Sequence, residues 1–171
     1  MALTQNAWTE DFVNGVYIAE CSVVNTTAEN DAYTLKTPAN LDPTKEWTLY
    51  YRASGTPDGQ ALPLEIFTGF ADTFAITGDG ATIGATNGGK FKQIMDDVVL
   101  AISPLWYSWK MSPSLAVADV VTVGAIATGL KILIPVAPYY AFNLNGGSTL
   151  NAVTHYFKIV QKIDKVGVPT S

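Results

Sequence analysis

Gly84-Ala-Thr-Asn-Gly-Gly89-Lys90 has the Gly-x-x-x-x-Gly-Lys spacing with which backbone N–H groups and a lysine cradle phosphate. The next position breaks the match. Phe91 stands where such a loop needs Ser or Thr to hold magnesium, and no alternating strand–helix background surrounds it. Leu115-Ala-Val-Ala-Asp119 imitates the apolar run ending in Asp that holds metal in nucleotide-binding proteins, again loosely. The expectation is a glycine loop carrying a surface lysine, with no cofactor. Gly78-Asp79-Gly80 and Asn87 offer oxygens to calcium, but the EF-hand spacing is absent and no Glu closes a site. Asp96 and Asp97 are adjacent, so on a helix they diverge by about 100° and cannot share a proton as a catalytic pair.

His155 is the only histidine, which excludes a multi-histidine metal centre and leaves a nucleophile–His–carboxylate arrangement as its one catalytic option. No Gly-x-Ser-x-Gly elbow accompanies it. Beside Tyr156 at the start of a strand, it reads as a strand residue with a hydrogen bond. Cys21 is the only cysteine, so no intrachain disulfide forms, and a buried thiol is expected. These readings name no catalytic, cofactor-binding or metal-binding residue and point away from an enzyme.

From Val98 to Phe157 the only formal charges are Lys110, Asp119 and Lys131, amid Trp106, Trp109, four tyrosines and repeated Val, Ile and Leu. A soluble domain normally has about a quarter of its residues charged. A half so neutral is expected both to fill an interior and to lie against another molecule. Its longest apolar run, Ile132–Phe142, is interrupted by Pro135 and Pro138 and falls short of the roughly twenty residues a spanning helix needs, so no membrane is expected. With net charge −5 and Arg52 as its single arginine, the chain lacks the basic stripe that nucleic acid requires. The opening segment has neither the basic start nor the apolar core of a signal peptide, which predicts a chain made and kept in a cytoplasm until used.

What would position these residues is a set of short strands. Asn14-Gly15, Thr56-Pro57-Asp58-Gly59, Gly78-Asp79-Gly80, Asn87-Gly88-Gly89 and Asn145-Gly146-Gly147 are turn signals. Trp47–Ala53 alternates, with Trp47, Leu49, Tyr51 and Ala53 on one face, and Leu64–Phe70 repeats the pattern, so the two are expected to pair as a hairpin. Further strands are expected near Val13–Val24, Thr73–Thr77, Leu115–Val123, Gly129–Val136, Tyr139–Asn143 and His155–Ile163. Pro135 and Pro138 should mark an edge or a strand end. Phe91, Ile94, Met95, Val98, Val99 and Ile102 follow a helical stripe, which predicts one short helix. The expected fold is mainly β, an antiparallel β-sandwich or jelly roll over residues 12–164 with one short helix. Residues 1–11 read as an extended N-terminal arm and residues 165–171 as a tail.

Aromatic residues form three clusters, Trp47/Tyr50/Tyr51, Trp106/Tyr107/Trp109 and Tyr139/Tyr140/Phe142. Trp106 and Trp109 cannot face the same side of one strand, so at least one is expected at a surface. Trp106, Tyr107 and Trp109 are therefore the expected self-association contact, and Leu3 and Trp8 the apolar anchors with which the arm docks on a partner.

The opening Met1-Ala-Leu-Thr-Gln-Asn-Ala-Trp8, the Thr-, Ala-, Gly- and Asn-rich β body, the stretch Ile132–Asn143 and the closing strand Tyr156–Val160 together resemble small virion structural proteins of tailed bacteriophages. The likeness is greatest to capsid decoration (cement) proteins. It implies a non-enzymatic subunit, often a trimer, that sits on the capsid surface and clamps neighbouring major capsid proteins. It carries no site residue across, because no motif matches. A carbohydrate-binding β-sandwich, in which exposed Trp and Tyr stack on sugar rings, is the alternative reading.

Overall fold

Alternation over Trp47–Ala53 becomes burial: Trp47, Leu49, Tyr51 and Ala53 are buried, while Thr48, Tyr50 and Arg52 are only half-buried on the other face. A computed structural model describes residues 4–5, 8–25, 33–55, 64–69, 76–77, 82–83, 90–95, 106–116, 126–144 and 153–163. Among these, strands dominate and no helix occurs. The first sheet contains β1 (Thr4–Gln5), β2 (Thr9–Val13), β3 (Val16–Asn25), β5 (Trp47–Gly55), β10 (Tyr107–Ser114), β11 (Lys131–Pro135) and β13 (Val153–Lys162). Its order is β1-β3-β13-β5-β10-β11, and β2 lies beside β1 on the same edge of β3. The second sheet runs β4 (Tyr33–Lys36), β12 (Tyr139–Leu144), β6 (Leu64–Gly69), β9 (Lys90–Met95). A separate two-stranded ribbon joins β7 (Ile76–Thr77) to β8 (Thr82–Ile83).

Inward residues of the two sheets meet through aromatic rings. Trp47 of β5 lies with ring centroids 6.1 Å from Tyr140 and 6.0 Å from Phe142, both on β12, and Phe142 stacks at 5.7 Å on Phe157 of β13. The Tyr140 hydroxyl donates to the Pro135 carbonyl at 2.9 Å and accepts from the Ala137 N–H at 3.2 Å, pinning the short connection between β11 and β12. Burial pushes that phenol up, so it stays a donor. Gln161, buried at the end of β13, accepts from the Asp42 N–H at 2.9 Å and donates to the Asp42 carbonyl at 2.8 Å. One amide thus ties the segment before β5 to the centre of the first sheet.

The structure departs from the sequence reading in four places. The opening segment is not an arm outside the sheets: Thr4–Gln5 and Thr9–Val13 pair with β3. The turn Asn14-Gly15, with φ of 50° and 79°, supplies the two left-handed residues that a tight hairpin needs; the sequence reading named this turn but assigned no strand before it. Trp47–Ala53 and Leu64–Phe70 do not form a hairpin. β5 lies between β13 and β10, whereas β6 lies between β12 and β9 in the other sheet. All of β6 is buried, including Glu65, so its apparent one-sided pattern hid a strand covered on both faces. The sheets are not wholly antiparallel, because β10 and β11 run parallel, with Met111 beside Ile132.

The fourth departure is the helix. Its first half, Lys90–Met95, is β9, while Val98, Val99 and Ile102 lie outside the described residues. Pairing runs Leu64↔Met95, Glu65↔Gln93, Ile66↔Lys92 and Phe67↔Lys90, so the ladder skips Ile94 and Phe91. Two bulged residues three apart imitate the helical stripe. The expected strands at Thr73–Thr77 and Leu115–Val123 appear only as Ile76–Thr77 and as a turn at Leu115–Ala116. Their remaining residues, like the turn signals at 56–59, 78–80, 87–89 and 145–147, lie outside the described residues. Pro135 does end an edge strand, β11.

Lys110 and Lys131 are register partners on the parallel pair, and Glu46 reaches both, at 3.4 and 3.3 Å. Burial works to raise the Glu46 carboxyl, but the hydrogen bond from Lys131 and the charge of Lys110 outweigh it and hold it below the ordinary range. The three charges are exposed, so Glu46→Ala should cost no more than about 1 kcal/mol. Gln161→Leu leaves the Asp42 N–H and C=O without their side-chain partner and should cost about 1–3 kcal/mol. Urea midpoints of the two variants, compared at equal slope, test this ordering.

Candidate binding groove and contact surface

The sequence-derived contact residues separate into inner and outer positions. Trp109 is 0 % exposed and belongs to the core; its indole N–H donates to the Ile126 carbonyl at 3.2 Å. It is a core residue, which corrects its expected place in a contact surface. Tyr107, one inward position earlier, is half-buried and stacks on Trp109 with centroids 6.2 Å apart. Trp106 is 43 % exposed on the other side, so the two tryptophans do diverge. Trp8 packs against the core, and its indole N–H donates to the Lys36 carbonyl of β4 at 2.9 Å, fastening the opening segment to the second sheet. Leu3 lies outside the described residues.

His155 is buried on the inner face, its Nδ1 joined to the Tyr51 hydroxyl by a 2.8 Å hydrogen bond and its ring stacked on that of Tyr51. Burial lowers its pKa to about 4 and raises that of Tyr51 well above its ordinary value. Both groups are therefore neutral near pH 7. The arrangement matches the strand residue with a hydrogen bond expected from the sequence. No group of three or more His, Cys, Asp or Glu that could hold a metal occurs among the described residues. Lys90 opens β9, and the rest of the Gly84–Lys90 string lies outside the described residues.

The outer face of the first sheet carries a feature that the sequence reading missed. Register sets Tyr156 of β13 directly opposite Arg52 of β5, and extending the β5–β10 register by one residue sets Trp106 opposite Arg52 on the other side. The guanidinium carbon lies 4.1 Å from the Tyr156 ring centroid and 5.1 Å from that of Trp106. These residues, with Thr9, Glu20 and Ser22, line a groove of about 370 Å³. Glu20 is held by Lys158 at 2.7 Å. The lone arginine and the alternation of β5 were visible in the sequence; the partners of that strand were not.

A second outer feature is the β11 edge. Leu133 is 49 % exposed on the strand, Leu130 precedes it at 52 %, and Leu115 at the end of β10 is 92 % exposed. Among the described residues β11 pairs on one side only, with β10. Lys131 and Pro135 at its two ends blunt backbone addition of another strand. Contact along this edge is left to side chains.

No protein-family model matches the chain, and no curated protein or solved structure matches it. No helix among the described residues is long and apolar enough to cross a membrane.

The inner and outer tryptophans should respond differently to truncation. Trp109→Ala empties a core position and should cost about 3–5 kcal/mol, whereas Trp106→Ala removes one surface cation–π contact worth about 0.5–1 kcal/mol. Urea unfolding of both variants measures the difference.

His155 gives a pH dependence of defined sign. Its folded pKa of about 4 lies below the unfolded value of about 6.5, so the unfolded chain binds the proton first as pH falls. Its contribution is complete above about pH 7 and declines by about 3 kcal/mol between pH 6.5 and 4. The difference in unfolding free energy between the chain and His155→Gln, followed over this window, should change by that amount. A constant difference would contradict it.

Proposed function

We propose that the chain is a non-enzymatic structural subunit of a bacteriophage virion that decorates and stabilises the capsid by binding its lattice as an oligomer, with a trimer favoured. Its body is then a β-sandwich of jelly-roll kind, the two sheets facing one another across the Trp47, Tyr140, Phe142 and Phe157 rings. The observation that carries the assembly reading is the β11 edge, where Leu115, Leu130 and Leu133 stand exposed beside a strand that, among the described residues, is paired on one side only. Interface centres are depleted in charge and rich in large apolar groups. The resemblance of the sequence to capsid decoration proteins supplies a virion-surface location and a major capsid protein as partner, while the acidic charge and the short apolar runs argue against direct contact with nucleic acid or membrane.

This assignment moves the contact from Trp109, buried on β10, to the neighbouring strand β11, and away from the opening segment at the other edge of the sheet. Trp8 is engaged within the fold, so docking on a lattice falls to surfaces away from it. Light scattering of the purified chain should show a stable trimer that Leu133→Lys converts towards monomer while urea stability stays within about 1 kcal/mol. Co-sedimentation with capsids lacking a decoration protein should saturate for the chain and be lost with Leu133→Lys. A chain that is monomeric at high concentration and does not sediment with capsids overturns the proposal.

A further inference from the structure

Arg52, the only arginine in an acidic chain, has no carboxylate partner among the described residues. Its Nε is buried and has no hydrogen-bond partner, and no ion pair engages it among the described residues. Glu20, the one acid among the described residues lining the groove, is taken by Lys158. Two ladders, not a salt bridge, place the guanidinium between Tyr156 and Trp106. Stacking between rings fixes the plane of the fork and leaves its N–H edge as the part able to bind.

We propose that this groove binds a carboxylated sugar, of the uronic- or sialic-acid class. The planar fork suits a bidentate carboxylate. One guanidinium beside the already neutralised Glu20–Lys158 pair, on a chain of net charge −5, suits a monoanion better than a phosphate dianion. The volume of about 370 Å³ is at the small end of ligand sites and accommodates a monosaccharide. Exposed indole at Trp106 offers a surface for the C–H face of a sugar ring, and Thr9, Ser22 and Glu20 put hydroxyl and carboxylate groups along the rim where sugar hydroxyls would lie. This inference is independent of the lattice reading, since the groove faces outward on β5 and β13 rather than along the β11 edge.

The test is titration of the full chain with glucuronate and N-acetylneuraminate, read by tryptophan fluorescence and by NMR shifts, beside glucose, inorganic phosphate and N-acetyl-aspartate as comparison probes. Saturable binding is expected for at least one acidic sugar, at least about tenfold tighter than for glucose, because a charge-assisted bidentate pair is lost in the neutral sugar. Arg52→Lys keeps the charge but not the fork and should weaken binding by about tenfold, with Trp106→Ala weakening it several-fold. Thermal unfolding of each variant separates lost binding from lost folding, and Arg52→Lys serves as the conservative substitution. Equal binding of glucose, tighter binding of phosphate or of N-acetyl-aspartate, retention of affinity in a folded Arg52→Lys variant, or no binding of either acidic sugar up to about 10 mM, about 2.7 kcal/mol of affinity, overturns the proposal.

Discussion

The contact of Trp47 with Tyr140 and Phe142, extended by Phe142 on Phe157, is the constraint on which the rest of the fold depends. It joins β5 and β13, the central strands of one sheet, to β12 of the other. Because side chains alternate along a strand, fixing these rings inward fixes every neighbour outward. Arg52, Tyr156 and Lys158 reach the outer face for no other reason than that Tyr51, His155, Phe157 and Ile159 are inside. A slip of one residue in β13 would bury Tyr156 and Lys158 and expel Phe157, so core packing sets the register of the outer groove.

Strand identity was legible wherever alternation was one-sided and bounded by turn residues, as at Val16–Asn25, Trp47–Gly55 and Val153–Lys162. Pairing was not. Nothing local says that β5 takes β13 and β10 as neighbours rather than β6, because that choice is made by residues more than fifty positions away. β10 was overlooked since Lys110, Ser112 and Pro113 break its apolar run, although Trp109 and Met111 are in the core. β9 was mistaken for helix because its bulges at Phe91 and Ile94 reproduce a spacing of three. The divergence of Trp106 from Trp109 was readable from spacing alone, but which one faced outward depended on the register of β10 against β5.

Several polar groups among the described residues have a positional task. Gln161 holds the approach to β5, the Tyr140 hydroxyl holds the β11–β12 connection, and the Trp8 indole links the first segment to β4. Tyr17 joins them: its hydroxyl donates to Glu10 at 2.7 Å, and Asn40 donates to the same carboxylate oxygen at 2.8 Å. Burial and that carboxylate together push the Tyr17 phenol up and keep it protonated. Directional bonds of this kind add little net energy each, yet removing one partner strands the other in a dry environment. They fix where loops rest on a core that hydrophobic contact alone would leave free to slide.

β13 lies between β3 and β5, and it pairs Val16 with Lys162, positions almost the whole chain apart. During synthesis, β3 and β5 leave the ribosome with no central strand to join them. Neither can close its ladder until residues 153–162 have emerged. Their inward rows, Tyr17 to Val23 and Trp47 to Ala53, must wait in contact with water or with a chaperone. Loop-closure entropy on this scale makes folding slow and places it after β13 has emerged. One strand thus joins two separately paired parts of the sheet, β1 and β2 with β3 on one side and β5 with β10 and β11 on the other.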